Sequence, residues 1–167
     1  KINCKMENKK NFNNNKNSSQ SYLLKNCLII DNMKNRILKN DIFIKDKIIQ
    51  DISKNLTNKI GPETIIVECE GMYVSAGLVD MRVNITEPGL EHKETIESAS
   101  KAAASGGVTS IICMPNTTPP IDQPAIIHSI QRKAREVALS KIFCTGCITR
   151  NFEGKEICEL HLMKDSG

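Results

Sequence analysis

Between Tyr22 and Ala76 short apolar runs alternate with turn signals, in the order YLLKNCLII, DNMKN, DIFIKDKIIQDI, NKIGPE and TIIVECEGMYVSAG. That rhythm predicts a small β meander. Ile42 and Ile44 precede Lys45, Asp46 and Lys47, and Ile48 and Ile49 follow them, which predicts two strands joined by a tight turn. From Gly77 to Gly89 (GLVDMRVNITEPG) the apolar content of Leu78, Val79, Met81, Val83 and Ile85 is too continuous for a strand with one wet face. It predicts a buried parallel strand that Pro88 and Gly89 end. Arg82, Asn84 and Thr86 stand at alternate positions and are expected to project from one face near the C-terminal end of that strand.

The period then lengthens to about 3.6 residues. In Glu91 to Ser105, Ile96, Ala99, Ala102 and Ala103 form one apolar face, and Gly106-Gly107 stops the helix. VTSIICM (Val108 to Met114) is a second buried strand, followed by Pro115, Asn116 and a polar loop, NTTPPID. Asp122 is a plausible N-cap, Pro124 fits a first turn, and Ile126, Ile127, Ile130, Ala134 and Val137 make the buried face of a second helix. Arg132, Lys133, Arg135 and Glu136 make its outer face. A third strand, Lys141 to Thr149, and a third helix, Lys155 to Lys164, complete the pattern.

A β-rich segment followed by three βα units implies parallel strands and right-handed crossovers, in an open doubly wound sheet or a closed barrel. Thr86, Glu87, Pro88 and Gly89 stand where an open nucleotide-binding sheet would carry its glycine-rich phosphate loop, so the barrel is the better expectation. The expected organisation is a disordered Asn/Lys-rich tail over 1–21, a small β domain over 22–76, and part of a barrel over 77–167.

Composition refines this picture modestly. Hydrophobic residues make up 40% of the chain and aromatics only 4%, with no Trp, so the core must be aliphatic. The net charge of +4 arises from 23 basic and 19 acidic residues, a mixed surface that argues against a nucleic-acid partner. Seven cysteines, Cys4, Cys27, Cys69, Cys113, Cys144, Cys147 and Cys158, are odd in number and mostly embedded in apolar runs. They read as reduced thiols. With neither a secretory signal pattern nor an apolar run of membrane-spanning length, a cytoplasmic protein without a membrane partner is expected.

The chemistry-bearing candidates are few. His92, His128 and His161 fall on predicted helices, outside the strand ends where a barrel does its chemistry. Cys144 and Cys147 form a Cys-x-x-Cys, but residues three apart on a strand face opposite sides, so packing is the expected role. Glu87 reads as a solvated loop carboxylate rather than a general base.

The blocks GLVDMRVNITEPGLEHKE, KAAASGGVTSIICMPNTTPPID, ITR and GKEICEL, in this order and spacing, resemble the dihydroorotases of the amidohydrolase superfamily from about Gly71 onward. The resemblance implies a small β domain beside the first three βα units of a TIM-like (β/α)8 barrel, in a chain that is the N-terminal part of a longer protein. The first residue is not Met, so Met6 is another candidate start.

In that family the first strand ends in Asp-x-His-x-His, whose imidazoles bind zinc, and an arginine two residues on holds the substrate carboxylate. The matching positions are Arg82, Asn84 and Thr86. Arginine offers no lone pair, an Asn amide is a poor zinc ligand, and threonine cannot make a two-pronged contact with a carboxylate. The resemblance carries one substrate contact over, Asn116, whose alternative role is to cap its own loop.

Active members hydrolyse the ring amide of dihydroorotate with a zinc-bound hydroxide. The resemblance therefore implies zinc in active relatives, no catalytic residue and no zinc in this stretch, and a catalytically degenerate pseudo-dihydroorotase. Its expected function is that of a structural partner of aspartate carbamoyltransferase in pyrimidine biosynthesis, oligomeric when full length. The alternative is an active zinc-dependent cyclic-amide hydrolase, a dihydroorotase or an allantoinase- or dihydropyrimidinase-like enzyme. A smaller expectation is that the Arg82 guanidinium replaces the metal's charge by pairing with acids from later strands.

Overall fold

In a computed structural model, which describes residues 20–167, the chain divides into two units, one ending at Ala76 and the other beginning at Gly77. The tail predicted over 1–21 lies outside the described residues except at its end. There Ser21, assigned to the tail by its polar neighbours, is buried as the first residue of a strand.

The first unit holds β1 (Ser21–Asp31), β2 (Arg36–Lys45), β3 (Ile48–Ser53), β4 (Ile65–Glu68) and β5 (Tyr73–Val74). They form one sheet in the order β3-β2-β1-β4, with β5 also pairing β1. The expected meander holds only for β1 to β3, which are antiparallel, whereas β4 and β5 run parallel to β1. The difference arises because the 3-10 turn at Leu56–Lys59 and the bend beyond it carry the chain across before it pairs again. Asp46 and Lys47 both have positive φ, 52° and 63°. A two-residue hairpin loop requires that geometry to match the twist of its strands.

Leu23, Cys27 and Leu56 are fully buried, and one carboxylate is buried with them. β1 bulges between Leu24 and Cys27, which takes the Asn26 amide out of the ladder. Asp41 repairs this, since its Oδ1 accepts from Asn26 N at 2.9 Å and its Oδ2 from Leu56 N at 3.0 Å. One side chain thereby ties the bulge to the 3-10 turn.

The second unit holds β6 (Leu78–Val83), α1 (Ile96–Ser105), β7 (Val108–Cys113), α2 (Pro124–Val137), β8 (Lys141–Cys144) and α3 (Leu160–Asp165). The three strands are parallel, in the order β6-β7-β8. Ile85, Ile96, Ile111, Ile121, Ile127 and Ile130 belong to one buried cluster that joins sheet to helices. Thr95 and Ser98 form a reciprocal capping box at the start of α1. Ser100 is buried because its hydroxyl accepts from Leu139 N at 3.0 Å, and Ser140 Oγ donates to Val108 O at 2.7 Å. These two bonds fasten the turn into β8 against α1 and β7.

Several local expectations change. β6 is parallel as predicted, and among the described residues, where β7 is its one neighbour, Leu78, Val79 and Met81 are 59%, 57% and 71% exposed. α1 starts at Ile96 rather than Glu91, and Ala102 is exposed. Gln123, not Asp122, is the N-cap of α2; the Asp122 carboxylate accepts from Asn151 N instead. β8 stops at Cys144 and α3 begins only at Leu160, because a Thr149–Ile157 bridge folds the intervening chain into a loop.

Replacing Asp41 by Ala is expected to lower the unfolding free energy by about 3 kcal/mol, since two amides lose a charged acceptor; urea titration checks this. Burial, with help from Cys69, pushes the Cys27 thiol up to about 12. Its folded pKa lies above the unfolded value of about 8.5, so stability is held below that pH and lost as pH rises toward 12. Unfolding midpoints at successive pH values should show this decline, and Cys27→Ala should flatten it.

Candidate functional site

In parallel α/β structures chemistry gathers at the C-terminal ends of the strands, and in this chain three such ends lie level. Met114 N donates to Val83 O at 2.9 Å, while Thr145 donates to Cys113 O through its backbone N at 3.0 Å and its Oγ1 at 2.7 Å. The residues just beyond these bonds are the ones that matter.

At the end of β6 the register slips. Asp80 pairs with Ile111 and Val83 with Cys113, so Met81 and Arg82 together oppose Ile112 alone. Asp80 Oδ1 accepts from the Arg82 amide at 3.0 Å, which satisfies the donor that the bulge removes from the ladder. The strict alternation expected of Arg82, Asn84 and Thr86 is therefore broken. Arg82 sits in the bulge and Asn84 just past the strand, both exposed. Thr86 is half-buried, with its Oγ1 3.0 Å from Leu90 O and 3.1 Å from Glu94 O. Its hydroxyl closes its own loop. Among the described residues Arg82 forms no ion pair, so the expected charge pairing has no partner there.

The loop from β6 to α1 is braced throughout. Glu87 Oε2 accepts from Ile96 N at 2.8 Å, so this carboxylate is a remote cap for α1 rather than a solvated loop acid. Glu91 accepts from Gly89 N at 2.9 Å, and this bond holds its carboxyl below the usual range. Pro88 O accepts from Thr118 N at 2.9 Å. Gly89 has φ of 109°, and a Cβ there would come within 2.1 Å of the Thr118 carbonyl oxygen, so no other residue fits. The Glu87–Pro88 and Thr118–Pro119 peptides are both cis.

Asn116 follows β7 and is exposed, and its side chain makes no hydrogen bond to a described residue. Thr117 braces this loop instead, with Oγ1 donating to Pro119 O at 2.7 Å. The loop-capping alternative for Asn116 is therefore not what the structure shows.

The remaining candidates do not converge. His92 is exposed in the β6–α1 loop rather than on a helix, His128 is exposed on α2, and His161 lies on α3 with Nε2 3.6 Å from Asp165 Oδ2. Cys144 ends β8 opposite Cys113, whereas Cys147 is buried in the following loop, where its N donates to Ile121 O at 2.7 Å. Among the described residues no group of three or more His, Cys, Asp or Glu side chains is placed to hold a metal ion. Neither the Arg82 guanidinium nor the Asn84 amide fits zinc at the end of β6.

Sequence reasoning missed Asp80, Glu87 and Thr145 as the residues that shape these strand ends. Each acts on a backbone group defined only by the bulge, the loop or the neighbouring strand. The Glu-Pro-Gly run was the one visible signal.

A small β-rich unit followed by parallel βα units is the arrangement found in amidohydrolase chains. An L-hydantoinase (dihydropyrimidinase) from Arthrobacter aurescens superposes with a TM-score of 0.75 at 26% identity, over 90% of this chain and 32% of that one. An enamidase, a member of the amidohydrolase superfamily, shares the fold with a TM-score of 0.67 at 22% identity, over 89% of this chain and 41% of the other. The chain is thus an α/β segment that matches the N-terminal part of such proteins. Residues 71–167 match the dihydro-orotase-like family, and the chain belongs to that family.

Dihydroorotases are its relatives in sequence. That of Aquifex aeolicus is 38% identical over 145 residues, 87% of this chain and 34% of the relative. That of Solibacter usitatus is 40% identical over the same share of this chain and 33% of its own. The chain spans about a third of the length of these relatives. No described helix is long and apolar enough to cross a membrane.

Glu87→Ala is expected to destabilise the second unit by about 1 kcal/mol, the usual worth of a helix cap. Hydrogen exchange should quicken at the Ile96 amide ahead of the α1 interior; an unchanged rate there would deny Glu87 this role.

Proposed function

We propose that this protein is a non-catalytic dihydroorotase homologue that serves pyrimidine biosynthesis in the cytoplasm as a structural partner of aspartate carbamoyltransferase. One observation carries the loss of catalysis: the end of β6 presents Arg82 in a bulge and Asn84 beyond it, where a metal-binding strand needs two imidazoles. The third position, Thr86, spends its hydroxyl on Leu90 and Glu94 carbonyls and has no donor fork for a carboxylate. The braced loop supports a structural role, because Glu87, Gly89 and Thr118 keep its shape without a metal. The partnership and the oligomeric state rest on the family resemblance.

A second reading is an active cyclic-amide hydrolase, of dihydroorotase, allantoinase or dihydropyrimidinase type, whose ligands come from other parts of the protein. The unpartnered Asn116 amide beside the end of β7 favours it, as a group available to a substrate carboxylate.

Assay of the purified full-length protein for dihydroorotate hydrolysis with added zinc, together with its bound-metal content, separates the two. The expected result is no turnover and no stoichiometric zinc, with aspartate carbamoyltransferase co-purifying. Zinc-dependent turnover overturns the proposal.

A further inference from the structure

Cys113 and Cys144 are in-register partners on the parallel strands β7 and β8. Neighbouring strands lie about 4.8 Å apart, which falls inside the roughly 4.4–6.8 Å that separates the Cα atoms of a disulfide. The two thiols already share a hydrogen bond. Their surroundings differ in a useful way. Cys113 is 1% exposed within the buried cluster, whereas Cys144 is half-buried and lines a cavity of about 210 Å³ with Ile127, Met163 and Lys164. One sulfur is thus reachable by a small molecule, and the other waits behind it.

We propose that Cys113 and Cys144 are an oxidation-sensitive dithiol, a modification site at which hydrogen peroxide converts two thiols into one cross-strand disulfide. The hydrogen bond from Cys144 lowers the Cys113 thiol, while the same contact and then burial push the Cys144 thiol well up. Only the minor form in which the Cys144 proton has passed to Cys113 carries the charge on Cys144, the sulfur facing the cavity, so the reaction needs peroxide in excess. That thiolate attacks a peroxide oxygen, the O–O bond breaks, and Cys144 becomes a sulfenic acid as the departing hydroxide takes up a proton to leave as water.

Cys113 sulfur then attacks the Cys144 sulfur, the S–O bond breaks, and a second water leaves with the Cys113 proton. The two sulfurs lose two electrons to the peroxide, which ends as two waters. The bond would lie directly before Met114-Pro115-Asn116 and before Thr145, whose two donors already hold the Cys113 carbonyl. Oxidation would therefore clamp the ends of β7 and β8 together.

Cys147 and Cys158 supply an internal control. Both are buried, at 3% and 4% exposure, which keeps a peroxide from either sulfur.

The test treats the full chain with hydrogen peroxide, alkylates the remaining thiols under denaturing conditions, and maps the unreduced digest by mass spectrometry. A Cys113–Cys144 linked peptide that dithiothreitol reverses is expected, with Cys147 and Cys158 alkylated. In Cys113→Ala the link should vanish and Cys144 should be trapped by dimedone. Alkylation of both Cys113 and Cys144, oxidation of Cys144 to a sulfinic acid with no link, or earlier linkage of Cys147 to Cys158 would overturn the proposal. The wild-type map decides even if the variant fails to fold.

Discussion

Parallel strands cannot be joined by a tight turn, so each connection must cross over, and the helix that makes the crossing must bury one face of the sheet. In this chain that constraint is met around Ile111, which has no exposure at the centre of β7 and shares one cluster with Ile96 of α1 and Ile127 and Ile130 of α2. With so few aromatic residues, branched aliphatic side chains supply almost all of the contact. Pressing α1 and α2 onto the same strand also brings the ends of β6, β7 and β8 level, where the Val83 and Cys113 carbonyls each accept from the next strand. The candidate site inherits its geometry from this packing.

Two kinds of residue meet at that site, and they answer to different physics. Glu87, Gly89, Thr117 and Thr145 satisfy backbone groups or fill a space that admits no Cβ, so their worth does not depend on any ligand. Arg82, Asn84 and Asn116 satisfy nothing within the described residues, so their side chains cost the fold nothing to exchange. A family member can therefore keep the loops of a catalytic strand end while its chemistry changes. Thr86 shows the two merging, since its hydroxyl braces the Leu90 and Glu94 carbonyls at a position where the family resemblance implies a substrate-binding arginine.

The thiols illustrate how far spacing can mislead. Cys144 and Cys147 are close in sequence and are the obvious pair, yet β8 ends between them and each finds a different neighbour. Cys113 and Cys144 are far apart in sequence and become partners only because β7 and β8 pair in that register. Their contact then separates their behaviour, because it lowers the Cys113 thiol while it raises that of Cys144.

Much of the architecture was determined by the sequence itself. The Asp46-Lys47 hairpin, the helix stop at Gly106-Gly107, Pro124 in the first turn of α2 and the stripe Ile126, Ile127, Ile130 are local signals, readable because turn chemistry and periodicity act over a few residues. The family blocks added the replacement of chemistry at Arg82, Asn84 and Thr86. Only the tertiary structure decided what these groups face. The bulge that sets Arg82 is a register between strands, the Glu87 cap reaches an amide nine residues on, and the Asp41 carboxylate joins a bulge and a turn that each lie fifteen residues from it. The parallel placement of β4 and β5 likewise depends on which strands come to lie beside one another. Pairings between distant segments leave no periodic trace in the chain, because the energy that selects them appears only once both partners are packed.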